Sequence, residues 1–260
     1  MPERAEVHFF CQQFLEFFPI GTRLLRMTGT AGYPVTIPAS DLPLTIESAT
    51  TRGKNMFIHF TNGYSFHIHF GMTAGFRLQP HPNTRYQLQF DVAPYDYYWI
   101  SVRKFACEKL NYVKRSELAP IEGFDIMLDD PSDEAVWAAR PPRGRKIGTM
   151  LLDQGPFLGI GNYLRAMICY RGKISPFRNT NTMTKDEFVS LFRIAQNIIK
   201  EILAHGAFSV YSLRLANDEE LFSSYDATPY RCPTDHQGNP VQKDELPKGR
   251  SIYWVPAIQK

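Results

Sequence analysis

The chain reads as an α+β protein of two domains: an N-terminal β-sandwich with an opening helix, then a helical half that closes in a finger-like β-hairpin. Three observations predict this class. Residues up to about 128 alternate β-branched and aromatic runs with turn signals, whereas beyond 142 the apolar residues recur at helical spacing. The segment Cys232-Pro233-Thr234-Asp235 has the C-x-x-C spacing of a zinc knuckle with an acid in its second position. Trp254-Val255-Pro256-Ala257-Ile258-Gln259 repeats that spacing, with Val255 and Ile258 where thiolates would stand. Structural zinc takes four soft ligands and only Cys232 could supply one, so burial is expected to hold this hairpin instead of metal.

In chain order, a helix is expected over roughly residues 3–17. The clearest hairpin follows, Asn55–Phe60 and Tyr64–Phe70 around Thr61-Asn62-Gly63, because an Asn-Gly turn between alternating runs favours tight strand reversal. Further strands are expected at 86–92 and 97–102. Asp129-Asp130-Pro131-Ser132-Asp133 begins an acidic linker, and Pro141-Pro142 precede Arg143, Arg145 and Lys146. Thr184-x-x-Glu187 is a capping box. It opens a helix whose stripe is Phe188, Leu191, Phe192, Ala195, Ile198, Ile199, Ile202 and Leu203, closed by His205-Gly206. This stripe is a packing face. Between linker and helix, Gly159-Ile160-Gly161-Asn162 makes a tight entry into a new helix whose free amides suit a phosphate.

Composition narrows the class. The chain has 260 residues, 43% of them hydrophobic, enough to fill real cores. Its four cysteines, Cys11, Cys107, Cys169 and Cys232, form no disulfide framework and read as reduced thiols of an intracellular protein. Arg4 and Glu6 interrupt the early apolar residues, so no signal peptide is expected, and no apolar run approaches a membrane span. A net charge of +3 and a pI near 8.6 permit nucleic-acid binding without demanding it.

The N-terminus reads Met1-Pro2-Glu3. Removal of Met1 would expose the secondary amine of Pro2. An α-amino group has a pKa of about 8, so near neutral pH an appreciable fraction is nucleophilic. Attack on a sugar C1′ gives an iminium ion, as a Schiff-base lysine would, and Glu3 could shuttle the proton.

These features converge on one resemblance. Leu-x-Asp-Gln ahead of Gly-Ile-Gly-Asn-Tyr-Leu-Arg-Ala, with Ile174-Ser175-Pro176 behind, closely resembles the helix–two-turn–helix of the formamidopyrimidine-DNA glycosylase and endonuclease VIII family. The finger is similar to that of the endonuclease VIII-like branch in which zinc ligands are lost. The resemblance covers nearly the whole chain. It implies a catalytic set of Pro2 as nucleophile, Glu3 as its acid, Glu6 as a further acidic position and Lys54, in Arg52-Gly53-Lys54, near the lesion and a flanking phosphate. It implies Met72, Arg103 and Phe105 as side chains that fill the void left by a flipped base, and Asn162 and Arg250 as phosphate contacts. The expected divisions are a catalytic domain over 1–128, a linker over 129–142, a DNA-binding helical domain over 143–227 and a zincless finger over 228–260.

The activity implied by the resemblance is that of a bifunctional DNA glycosylase and AP lyase of base excision repair. Such a protein would act as a monomer on damaged double- or single-stranded DNA, in a nucleus or a nucleoid-bearing cytoplasm, with no membrane partner, metal or organic cofactor. The endonuclease VIII-like likeness favours oxidised pyrimidines and formamidopyrimidines over 8-oxoguanine. The alternative is a glycosylase fold that binds damaged DNA without chemistry; intact Pro2, Glu3 and Lys54 argue against it. Met72 and Phe105 also read as ordinary core residues, and Lys54, Arg103 and Arg250 as surface charges. His59, His67 and His69 include a His-x-His, but the family has a histidine before its Gly-Met turn without metal. The chain departs from the family at Arg4-Ala5 for Gly-Pro, at Ser101 for Asp and at Ala106 for Gly.

Overall fold

The computed structural model describes residues 3–30, 32–34, 37–69, 74–77, 84–92, 97–102, 109–204, 225–246 and 250–260. Among them the chain forms two compact units that meet in sequence at Pro120 and Ile121.

The first unit opens with helix α1 (Arg4–Phe17). Eight strands follow: β1 (Arg23–Gly29), β2 (Leu44–Arg52), β3 (Asn55–Phe60), β4 (Tyr64–His69), β5 (Ala74–Arg77), β6 (Thr84–Phe90), β7 (Tyr97–Val102) and β8 (Lys109–Lys114). Their hydrogen-bonded order is β5-β7-β6-β1-β2-β3-β4-β8. The corner is β1. Its first residues pair with β2 through Arg23 and Leu24, then the register slips between Leu24 and Arg26 and the rest pairs with β6. A bulged strand shared in this way turns one continuous ladder into the two leaves of a sandwich.

Alternation builds the core of this unit. On β3, Met56, Ile58 and Phe60 are buried while Asn55, Phe57 and His59 face the other way, and β6 repeats the pattern with Tyr86, Leu88 and Phe90. Helix α1 covers the apolar face, where Phe18 stacks on Phe90 with ring centroids 4.2 Å apart and Phe14 meets the same ring edge-on at 6.0 Å. The expected hairpin forms with a three-residue loop. Asn62 Oδ1 accepts from Tyr64 N at 3.1 Å, and Gly63 takes the positive φ of 81° that closes the turn.

The second unit begins with β9 (Phe124–Asp125), paired in parallel with β10 (Phe157–Leu158). Its helices are α2 (Asp133–Ala138), α3 (Ile147–Met150), α4 (Asn162–Arg171) and α5 (Lys185–Ala204). The stretch expected to be a linker, 129–142, is structured within this unit. Ser132 caps α2, Trp137 packs edge-on against Phe188 at 6.0 Å, and Arg193 binds both Asp130 and Asp133. The acidic run therefore answers a cation on α5. That helix is capped reciprocally, with Thr184 N donating to Glu187 Oε2 at 2.9 Å and Glu187 N to Thr184 Oγ1 at 3.2 Å. Its stripe from Phe188 to Ile202 is buried as periodicity predicts, while His205 and Gly206 lie outside the described residues. The chain closes with the hairpin β11 (Gln242–Leu246) and β12 (Arg250–Trp254). Among the described residues no helix is long and apolar enough to cross a membrane.

Candidate functional site

In the first unit, charged side chains are buried where α1 begins. Glu3 is its N-cap and Glu6 its third residue; Glu6 Oε2 accepts from Glu3 N at 2.9 Å, completing a capping box. Both carboxylates sit against the positive end of the helix dipole, which favours their charged forms. Glu3 is 2% exposed, Glu6 3%, Arg4 0% and Lys54 4%. Burying so many charges is costly for stability alone, so their concentration marks a built site. Arg4 is felt at Cys11, whose thiol burial pushes up to about 11 against the pull of that guanidinium.

Lys54, also buried, is the second residue of a two-residue turn between β2 and β3, where Arg52 faces Asn55 and Gly53 takes φ 55°. A positive φ at the first turn position suits glycine, which explains why Gly precedes the lysine. Asn55 in turn pairs with His69 across β3 and β4. His69 keeps an exposed edge, yet the surrounding protein removes enough solvent to push its pKa below the ordinary histidine value, and the charge of Lys54 adds to the push. Both effects favour the neutral imidazole of His69. On the same face Phe57 stacks on His67 at 4.8 Å. His67 Nε2 contacts Asn55 Oδ1 at 2.9 Å, and both nitrogens of His59 are taken by Thr50 and Ser65 hydroxyls at 3.0 and 2.8 Å.

In the second unit, the Gly-Ile-Gly turn is fastened by the glutamine of the same motif. Gln154 Oε1 accepts from Gly159 N at 2.8 Å, and its Nε2 donates to Ile160 O at 3.0 Å and Leu152 O at 3.1 Å. Gly159 takes φ 99°, and Gly161 is the extended N-cap that sets Asn162 as the first residue of α4. Asn162 stays half-buried, as does Arg250 at the start of β12. Arg165, one turn along α4, is fully buried and donates to Gly148 O at 3.0 Å, Ser251 O at 2.5 Å and Asn162 Oδ1 at 3.4 Å.

The finger docks on α4 through Leu246 and Ile252, which cluster with Ala166 beneath Phe177 and Tyr230. In its first knuckle Asp235 occupies the place of a thiolate. The carboxylate accepts from Gln237 N at 2.9 Å, Asn239 N at 2.8 Å, Asn239 Nδ2 at 3.0 Å and Tyr170 Oη at 3.2 Å. Burial raises its pKa, but these donors, led by the Asn239 side chain, outweigh burial and hold it below the ordinary aspartate range. In the second knuckle Val255 is fully buried, whereas Ile258 is only half-buried. The closing side chain there is Gln259, which accepts from Val255 N at 2.6 Å and donates to Ile174 O at 3.1 Å. A carboxylate already saturated by donors, a valine and an isoleucine do not fit tetrahedral zinc.

Comparison with known proteins agrees with both halves. Residues 1–107 match the family model for the formamidopyrimidine-DNA glycosylase N-terminal domain. Over 220 residues the chain is 27% identical to formamidopyrimidine-DNA glycosylase of Thermus thermophilus, covering 80% of each. It is 23% identical over 226 residues to endonuclease 8 1 of Mycobacterium bovis, covering 82% of this chain and 84% of that one. Over about four fifths of its length the chain is thus similar to proteins of the formamidopyrimidine-DNA glycosylase and endonuclease VIII family. The crystal structure of the MutM (Fpg) protein from Thermus thermophilus shares the fold, with a TM-score of 0.86 at 22% identity over 99% of this chain and 98% of that one.

Of the residues that the family likeness singled out, Glu3, Glu6 and Lys54 are buried in the first unit, and Asn162 and Arg250 lie on the second. Pro2, Met72, Arg103 and Phe105 lie outside the described residues. Sequence reasoning did not single out Arg165, Gln154, Asp235 as a hydrogen-bond hub, or Gln259. Only Gln154 left a usable signal, since an amide five residues before a glycine pair is well placed to pin that turn.

Proposed function

We propose that this protein is a member of that family and a bifunctional DNA glycosylase and AP lyase. Pro2, once Met1 is removed, attacks C1′ of a flipped nucleotide through its secondary amine and the base departs with a proton; the C1′–O4′ bond then opens, O4′ takes a proton, and an iminium links enzyme to sugar. The iminium makes the C2′ protons acidic. Loss of one expels the 3′ phosphate, and a second elimination expels the 5′ phosphate. Glu3 is the proton shuttle, and Lys54 approaches the lesion and its phosphate. Asn162 and Arg250 hold phosphates without reading sequence, while Met72, Arg103 and Phe105 fill the space the base leaves. Oxidised pyrimidines and formamidopyrimidines are the favoured substrates, as in the endonuclease VIII-like branch.

The observation that carries this reading is the buried Glu3–Glu6 capping box directly after Pro2 in the chain. Borohydride reduction in the presence of a damaged duplex tests it. Reduction should trap a covalent enzyme–DNA adduct, and Pro2→Gly should change its yield sharply. Undiminished trapping by protein verified to retain Met1 would move the nucleophile to Lys54. Tight binding with no adduct on any damaged duplex would leave the non-catalytic alternative.

The phosphate contacts carry their own expectation. Affinity for any duplex should fall steeply with salt as counterions are released, and Arg250→Ala should flatten the slope by about 0.9 per charge lost. Asn162→Ala removes a neutral donor and should leave the slope unchanged. Each variant should weaken lesion and plain duplex alike, on the order of tenfold. Weakening confined to lesion DNA would place both residues in the base pocket instead.

A further inference from the structure

A fully buried arginine cannot touch DNA, yet Arg165 contacts one proposed phosphate ligand and the residue next to the other. Guanidinium is a donor only. Facing it, the Asn162 amide can present only its oxygen, so the Nδ2 group is turned the opposite way. With the amide reversed, an oxygen would point where a phosphate must accept. Among the described residues Asn162 Nδ2 donates to nothing, as a group held ready for an external acceptor would.

The same nitrogen, Nη2, also holds the carbonyl of Ser251 at 2.5 Å, beside Arg250 on β12. Among the described residues the finger is a two-stranded ladder, so one edge of β12 has no strand partner there. Backbone carbonyls on such an edge need other donors when covered. Arg165 supplies one, and through Gly148 O at 3.0 Å it anchors the same fork to α3. Residues of α3, α4 and β12 thus share one rigid, planar group.

We propose that Arg165 is a positioning residue for DNA binding: it fixes the Asn162 amide with its donors outward and holds Arg250 in register with it. The proposal rests on Asn162 and Arg250 being phosphate contacts. The test is a double-mutant cycle on an undamaged duplex, with melting temperature followed for every variant. Arg165→Met removes the fork at similar volume. Arg165→Lys, run in parallel, keeps a buried cation should the methionine variant not fold.

In the folded protein, loss of the fork should lower duplex affinity by about the factor seen for Asn162→Ala with Arg250→Ala together, and should flatten the salt slope as Arg250→Ala does. Added to that double variant, it should cost nothing more, the sign of a shared mechanism. A fork variant with unchanged affinity would overturn the proposal. So would an equal loss in the double-variant background, which would mean general destabilisation. If Asn162→Ala and Arg250→Ala leave plain-duplex affinity intact, the phosphate reading itself has failed, and Arg165 positions nothing for DNA.

Discussion

Glu3→Gln is expected to slow base removal by about 10²–10⁴-fold, the usual contribution of a positioned proton donor or acceptor. The substitution is informative because it separates two roles of one side chain. As the N-cap of α1, Glu3 needs only an acceptor oxygen, and an amide retains one. As a proton shuttle it needs an ionisable group, which the amide lacks. The melting temperature should therefore barely move while single-turnover cleavage of a lesion duplex collapses. Cleavage of a preformed abasic site should suffer less, since no base has to leave. A variant that melts early and slows in proportion would show Glu3 to be a cap alone. By the same logic Glu6→Gln keeps the acceptor that receives Glu3 N and should preserve the helix.

Val255→Asp is expected to have the second large effect. The valine is fully buried at the second knuckle, where its burial stabilises the finger by roughly 1.5–3 kcal/mol. An unpaired carboxylate in its place costs several kcal/mol more. The hairpin carrying Arg250 should loosen and duplex affinity should fall, while the β-sandwich, a separate compact unit, keeps its own far-ultraviolet and melting signature. Elemental analysis of the unsubstituted protein should find no stoichiometric zinc, and chelators should change neither melting nor activity. One zinc per chain would reopen Cys232, Asp235 and His236 as ligands.

Local chemistry made much of this protein legible in its sequence. The capping box at Thr184, the Asn62-Gly63 turn and the Gly-Ile-Gly entry to Asn162 are short patterns whose partners lie within a few residues. The corner strand was not legible. Leu24 and Leu25 are adjacent, which breaks alternation, because β1 serves two leaves through a register slip. Nor was the Arg165 fork, whose bond to Ser251 spans 86 residues. The acidic run at 129–133 resembled a linker because the cation that answers it, Arg193, lies on a helix some sixty positions later. Long-range polar bonds leave no period in a sequence, so a charged segment reads as solvated until its partner is placed.

The finger also bears on how the protein meets peroxide. A knuckle tied by four thiolates is exposed to the chemistry that creates oxidised bases, since a sulfur taken to sulfenic acid no longer binds metal. Here the knots are a carboxylate, Asp235, and an amide, Gln259, neither of which oxidises under such conditions. The sulfur of the first knuckle, Cys232 Sγ, makes only long contacts with Tyr230 O at 3.7 Å and Thr228 Oγ1 at 3.8 Å. Its oxidation would release none of the bonds that hold Arg250. The Asp235 and Gln259 bonds that tie the finger's two knuckles thus do not depend on the redox state of a thiol.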